Sequence, residues 1–227
     1  MTWLNIDWAI QNIQEFNNHA ESAANDRLTH RIFSDRTPNG PTVGERVVLL
    51  DKLWCTQMFW QADHAVKVIQ SLREGEPRIL DAVQALGPDT LETQPFVVID
   101  LALWAMPIVL GHDPENPARN TYAPYSFASK YLHWTAPHLF PITDNRAREK
   151  VNRLQRQHEI LPRVPNSNNY GWHDDYPRWI HFYSKLIASL SEAERKKIIN
   201  ADRTSQPVGE RCENTLLRIL DKAFYWG

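Results

Sequence analysis

Two cysteines, Cys55 and Cys212, are all that 227 residues carry, too few for a disulfide framework or a four-cysteine zinc or iron–sulfur site. They read as two reduced thiols of a cytoplasmic protein. Eight glycines and no phosphate-loop or dinucleotide fingerprint set nucleotide-cofactor enzymes aside. No Gly-x-Ser-x-Gly elbow is present for serine hydrolysis. Neither charge sign dominates, with 25 Lys+Arg against 27 Asp+Glu, so a nucleic-acid site has to be a local patch. The longest apolar run, residues 96–110, is broken by Asp100 and Pro107 and is too short to span a bilayer. The first residues lack the basic-then-apolar layout of a signal peptide. What is abundant is aromatic surface: nine Trp, seven Tyr and eight Phe supply both core and stacking platforms for flat ligands such as nucleobases.

The periodicity predicts an all-α globule of about nine or ten helices. Residues 1–227 form one domain, or two helical subdomains with a cleft between them. Ile6, Ile10, Ile13 and Phe16 mark an opening helix, and residues 37–41 (Thr-Pro-Asn-Gly-Pro) a loop. Thr42 and Glu45 fit a capping box before a helix that buries Val47, Leu50, Leu53 and Trp54. A third helix carries Ala62, Val66, Ile69 and Leu72. Gly75 and Pro77 are expected to end it before a short helix at 79–86. Residues 94–109 are apolar nearly all round and predict a central, buried helix. Val97, Val98 and Ile99 would suit a strand, but no second strand-like run exists to pair with them. Helices are further expected near 125–134, from about 144, and at 176–190, 192–201 and 208–225, with Ser191 and Glu194 as another capping box.

The chemistry concentrates between Ser126 and Arg153. A helix, a loop bounded by prolines, and a second helix bring Asp144, Asn145 and Arg146 to a first helical turn. A carboxylate there accepts free backbone N–H groups and faces the positive end of the helix dipole. Capping alone is the plain reading of such an aspartate. From Arg146 to Arg163 six basic residues (Arg146, Arg148, Lys150, Arg153, Arg156, Arg163) oppose Glu149 and Glu159, either a phosphate-binding patch or a solvated face. His173 with Asp174, Asp175 and His181, or His133 with His138, match no metal-helix spacing, so no metal or other cofactor is expected.

The stretch Ser126-Phe127-Ala128-Ser129-Lys130-Tyr131, followed by Phe140-Pro141-Ile142-Thr143-Asp144-Asn145-Arg146, resembles the catalytic half of the helix-hairpin-helix DNA glycosylase superfamily, in which a helix and short loop lead to an essential aspartate. Residues 49–57 (Leu-Leu-Asp-Lys-Leu-Trp-Cys-Thr-Gln) are similar to the same superfamily's early helix pair, whose turn carries a glutamine that meets the duplex. Together the two segments cover about a quarter of the chain. The resemblance implies a monofunctional glycosylase that flips a modified or damaged base out of double-stranded DNA and hydrolyses its N-glycosidic bond, leaving an abasic site. Asp144 would be its catalytic carboxylate. Gln57, Ser126, Ser129, Lys130, Arg146 and Lys150 would contact DNA, and Trp54, Trp60, Tyr125 and Trp134 would wall the base pocket, with Tyr131 a further ring nearby.

The chain departs from the family in its hairpin. Tyr122-Ala123-Pro124-Tyr125-Ser126 has no glycine to hold a phosphate, and Tyr125 or Ser126 stands where bifunctional members carry a Schiff-base lysine. Lys130 falls a turn inside the helix. The divergent hairpin favours an atypical substrate, such as hypermodified viral DNA in an antiviral setting. A monomer is expected. The alternative is a helical DNA- or protein-binding module without chemistry.

Overall fold

A computed structural model describes residues 3–54, 56, 62–112, 125–164 and 172–226. Among these residues the secondary structure is entirely helical: α1 (Ile6–Asn18), α2 (Ala20–Ser34), α3 (Val43–Trp54), α4 (Ala62–Gln84), α5 (Thr90–Thr93), α6 (Pro95–Leu110), α7 (Tyr125–Thr135), α8 (Asn145–Gln157), α9 (Trp172–Ser189), α10 (Glu192–Ser205) and α11 (Leu216–Trp226). That is eleven helices where the periodicity suggested nine or ten. No helix is long and apolar enough to cross a membrane.

One of the two helices not expected, α5, lies between Gly87-Pro88 and Pro95, and the other comes from a break that carries no Pro or Gly. The opening segment divides at His19, whose extended backbone (φ −78°, ψ 106°) closes α1 while its ring accepts the Ser22 N–H to start α2. The expected break at Pro77 does not occur, and α4 runs through it. Pro77 lies on the exposed side of the helix, where a missing N–H costs least. Gly75 has no Cβ because Ile108 of α6 occupies that space. The buried stripe of α4 is accordingly Ala65, Val68, Leu72, Ile79 and Val83, and Val66 is exposed.

α6 is a helix, as its length suggested, yet it is not buried all round. Val98, Ala102, Ala105, Met106 and Val109 face the core, while Phe96, Val97 and Trp104 face outward. It ends on Gly111 in the left-handed region (φ 62°), where a Cβ would strike the backbone of Lys67 and Val68. The last helix starts at Leu216 rather than near 208. Residues before it are held by Gln206, whose amide accepts the Cys212 N–H at 2.7 Å and donates to Asp202 at 2.8 Å.

The helices sort into two groups. α2, α3, α4, α6 and α7 pack on one another, and α5 joins them through α6. The two ends of the chain meet in the other group, where α1 lies against α10 and α11, and α8 packs on α11. α9 leans on α5 and α6 and is pinned to α8 by an ion pair between Arg148 and Asp175. The α7–α8 connection, residues 136–144, therefore passes from one group to the other. Asp144 sits at that crossing.

Candidate active site

Two prolines keep residues 136–144 out of helix, and their carbonyls need partners because the loop is buried. Side chains from two helices, α7 and α9, and from the residue before α11 supply them. Thr215 donates to the Pro137 carbonyl at 2.6 Å, His133 Nδ1 lies 2.7 Å from that of Phe140, and the Tyr176 hydroxyl donates to that of Pro141 at 2.9 Å. Ser129 Oγ accepts from the Thr143 N–H at 3.2 Å and hydroxyl at 2.9 Å. Leu139, Phe140 and Ile142 fill the core beneath. The residue before Asp144 is thus fixed from several sides.

Asp144 is extended (φ −134°, ψ 139°) and caps α8, its Oδ1 accepting the Arg146 N–H at 2.7 Å. Its other oxygen, Oδ2, lies 3.7 Å from the Lys130 ammonium. The Lys130 side chain is 5% exposed and that of Asp144 17%. Lys130 also donates to Ser126 Oγ at 2.8 Å. Four residues apart on α7, Ser126 and Lys130 share one face, so the lysine stem runs back along the helix and delivers its amine to the start of α8. Standing a turn inside the helix does not remove Lys130 from the aspartate.

Around this pair stand rings and cations. The Arg146 guanidinium covers the Tyr225 ring at 5.1 Å and donates to its hydroxyl at 3.1 Å. Tyr225 meets the half-buried Trp54 edge-on at 6.4 Å, and Trp54 lies 6.1 Å from Trp134. The indole N–H of Trp54 is taken by Thr29 at 3.0 Å. Lys150 donates to the Phe224 carbonyl at 3.1 Å.

Beneath the rings lies a closed charge network. Arg218 binds Asp26 at 2.6 Å and Asp221 at 2.7 Å, while Lys222 binds Asp26 at 3.0 Å and Asp202 at 2.9 Å. Burial pushes the Asp26 carboxyl up, but Arg218 and Lys222 outweigh it and hold it down to about 2. Asp221 goes the other way: burial, with the charge of Asp144 added, overcomes Arg218 and raises it to about 7. His133 is lowered to about 3 by burial and by Arg218, which keeps its ring neutral against the Phe140 carbonyl.

Lys130 and Asp144 are therefore brought together, with Ser126 as the lysine's hydrogen-bond partner. Arg146 and Lys150 lie on the same helix start, Arg146 exposed and Lys150 half-buried. Ser129 is fully buried and spends its hydroxyl on the loop, so it has no surface to offer a duplex. The Lys130 amine is likewise enclosed, and it faces Asp144 rather than an open phosphate track. Trp134 is buried and packs under Arg218, which makes it floor rather than wall. Tyr125 is packed edge-on to Tyr176 at 6.0 Å, and burial, with the charge of Asp175, pushes its phenol well above the usual range. Tyr131 belongs to the other helix group, donating to Glu76 at 2.7 Å. Gln57 and Trp60 lie outside the described residues.

The basic run is smaller than its sequence. Arg148 is buried in a two-point ion pair with Asp175 (2.8 and 3.3 Å), leaving Arg146, Arg153, Arg156 and Arg163 exposed. Among the described residues no three His, Cys, Asp or Glu side chains gather around a metal position. Sequence reasoning passed over Tyr225, Asp221, Arg218 and Lys222. The available signal was Arg218, Asp221 and Lys222 on one side of an otherwise apolar helix, charges that a solvated face would have spread outward. Compared with protein-family models, with curated proteins and with solved structures, the chain matches none.

Proposed function

We propose that this protein is a DNA glycosylase that hydrolyses the N-glycosidic bond of a flipped, modified or damaged nucleotide, with Asp144 as its catalytic carboxylate. The observation that carries this reading is Asp144 Oδ2. The cap uses Oδ1, the loop behind it is fixed by side-chain hydrogen bonds, and the second oxygen faces Lys130 on a side chain that is 17% exposed at the join between two helix groups. Rupture of a glycosidic bond develops positive charge at C1′, and a carboxylate held at that point stabilises it and orients the attacking water. A fixed carboxylate needs no reorganisation at the moment of reaction. The order of the segments resembling the helix-hairpin-helix glycosylases supports the same reading. Exposed Arg146 and half-buried Lys150 are suited to the phosphates beside the extruded nucleotide.

The test is release of free base from a panel of damaged and hypermodified duplex DNAs, followed by mass spectrometry, with alkali treatment to reveal abasic sites. Intact protein should release a base and Asp144→Asn should not, while still binding the DNA. Binding without release from any substrate would favour a helical binding module instead.

The 3.7 Å approach of Lys130 to Asp144 favours a second reading, in which the lysine amine itself attacks C1′. The base then leaves with the bonding electron pair, Asp144 takes the proton that the amine must lose, and cleavage of the C1′–O4′ bond opens the sugar to an imine as O4′ leaves as a hydroxyl with that proton. Borohydride would trap the resulting imine as a covalent protein–DNA adduct. Base release without an adduct selects hydrolysis by water; an adduct lost in Lys130→Met selects the amine.

A further inference from the structure

A cavity of about 250 Å³ opens beside the candidate site, between the first turn of α1 and the outer face of α8, with α11 as its floor. Leu4, Trp8, Leu154 and Phe224 make an apolar base, on which the half-buried Trp8 ring packs 5.7 Å from that of Phe224. Lys150 and Arg153, one turn apart on α8, stand at its rim, and two carboxamides complete the lining. Among the described residues no carboxylate lines it. The volume falls just short of the pockets that hold drug-sized molecules, which suits one ring with its sugar or phosphate. The cavity adjoins the site electrostatically as well, because the charge of Asp144 acts on Lys150.

We infer that this cavity is a subsite for a single nucleotide flanking the target, its base lying against Trp8 and its phosphate between Lys150 and Arg153. The inference deepens the DNA reading of the Asp144 site and rests on it. An apolar, aromatic floor gains from stacking any base, since every base has a π-face. Two cations on a lining whose described residues include no carboxylate favour an anion, even with Asp144 and Glu149 acting on Lys150 from outside it, and helical spacing sets them side by side on the edge of that floor. Lys150 is already positioned by its bond to the Phe224 carbonyl, so little freedom is lost when a phosphate arrives.

Two readouts on the full chain separate the parts of this claim. The first is binding of thymidine 5′-monophosphate, thymidine and inorganic phosphate, followed by the NMR signal of the Trp8 indole N–H. The monophosphate should move that signal and bind about tenfold or more weakly to the double variant Lys150→Gln, Arg153→Gln, whereas thymidine should bind both proteins alike. Trp8→Leu should weaken monophosphate and thymidine together. Equal binding of thymidine and its monophosphate to the intact protein, or no shift at Trp8, would overturn the subsite. The second is base release from modified duplex DNA, where Arg153→Gln, which lines the cavity and has no part in the Asp144 site, should raise KM several-fold, well beyond any change in kcat. If intact protein releases base and Arg153→Gln has an unchanged KM, the subsite is wrong and the glycosylase stands. If the monophosphate binds at Trp8 as described while no DNA loses a base, the glycosylase reading fails and a nucleotide site remains.

Discussion

Helices α8 and α10 both begin on a side chain that takes up a free backbone N–H, and they differ in everything around that bond. At α10 the cap is complete in itself. Ser191 and Glu194 satisfy each other's backbone N–H groups at 3.4 and 2.8 Å, on exposed turns. At α8 the aspartate caps with one oxygen, is preceded by a buried loop tied down by Ser129, His133, Tyr176 and Thr215, and turns its second oxygen toward an enclosed lysine. Ending a helix needs only the first arrangement. The second has a cost: an ammonium taken out of water has to recover its hydration from Asp144 and Ser126. A start built this way serves to hold a carboxylate and an amine in one geometry, which is what a reacting centre requires.

The sharpest test of this contrast is Asp144→Asn. Asn keeps the cap but strips the enclosed Lys130 ammonium of its counter-charge, so the melting temperature should fall by a few degrees. Base release should fall about 10²–10³-fold, comparable to removing one preorganised electrostatic contact elsewhere. Parallel thermal denaturation and base-release assays check both halves. A variant that melts early and keeps its activity would reduce Asp144 to a cap.

Tyr176→Phe acts one step further back. It strips the Pro141 carbonyl of its hydroxyl partner in a buried place, which should cost about 1–3 kcal/mol of stability in urea unfolding. Because the freed loop carries Asp144, kcat should drop with it. Unchanged kcat in a destabilised protein would separate the loop from the site.

At α10 the corresponding change is Ser191→Ala. Loss of the cap should lower stability by about 1 kcal/mol and leave base release and DNA affinity as they were. Any loss of activity there would erase the contrast between the two helix starts.

The smallest effect is a slope in the pH dependence of stability. Folded Asp221 keeps its proton up to about 7, whereas the unfolded chain releases it near 3.8. The folded state then binds more protons across that interval, so this group makes stability fall as pH rises from about 4 to 7. His133 has the opposite sign: the unfolded ring takes up a proton near 6.5 and the folded one only near 3, so its contribution rises with pH through that window. The two oppose each other between about pH 4 and 6.5. Asp221→Asn should remove the falling arm and leave stability climbing with pH, as unfolding curves at pH 4, 5, 6 and 7 would register.

Much of the helix inventory was legible because it depends on near neighbours. Both capping boxes form, Thr42 with Glu45 and Ser191 with Glu194, since a side chain reaches only three residues along the backbone. Ala147 and Val151, one turn apart on α8, are buried, and Leu154 packs half-buried beside them. Pro77 shows where local rules stop, because its cost as a breaker is outweighed when the helix around it is packed on a neighbour as close as Ile108. On α6 hydrophobicity was read as burial, yet Phe96 beside His181 and Trp104 under Arg78 both stay exposed, and composition does not tell an inner face from an outer one.

By itself the sequence determined an all-helical chain, the position of Asp144 at a helix start, and a basic stretch following it. These follow from periodicity, capping chemistry and charge count, which act over a few residues. Only the tertiary structure decided that Lys130 turns back to Asp144, that Arg148 is spent on Asp175, that Ser129 is a brace, and that Arg218, Asp221 and Lys222 are enclosed with Asp26 and Asp202. A charged side chain reads the same in sequence whether it meets water or an opposite charge. Its partner can lie three residues away, as Asp221 does from Arg218, or 192 away, as Asp26 does from the same arginine, and the distant ones are chosen by how the two ends of the chain pack together.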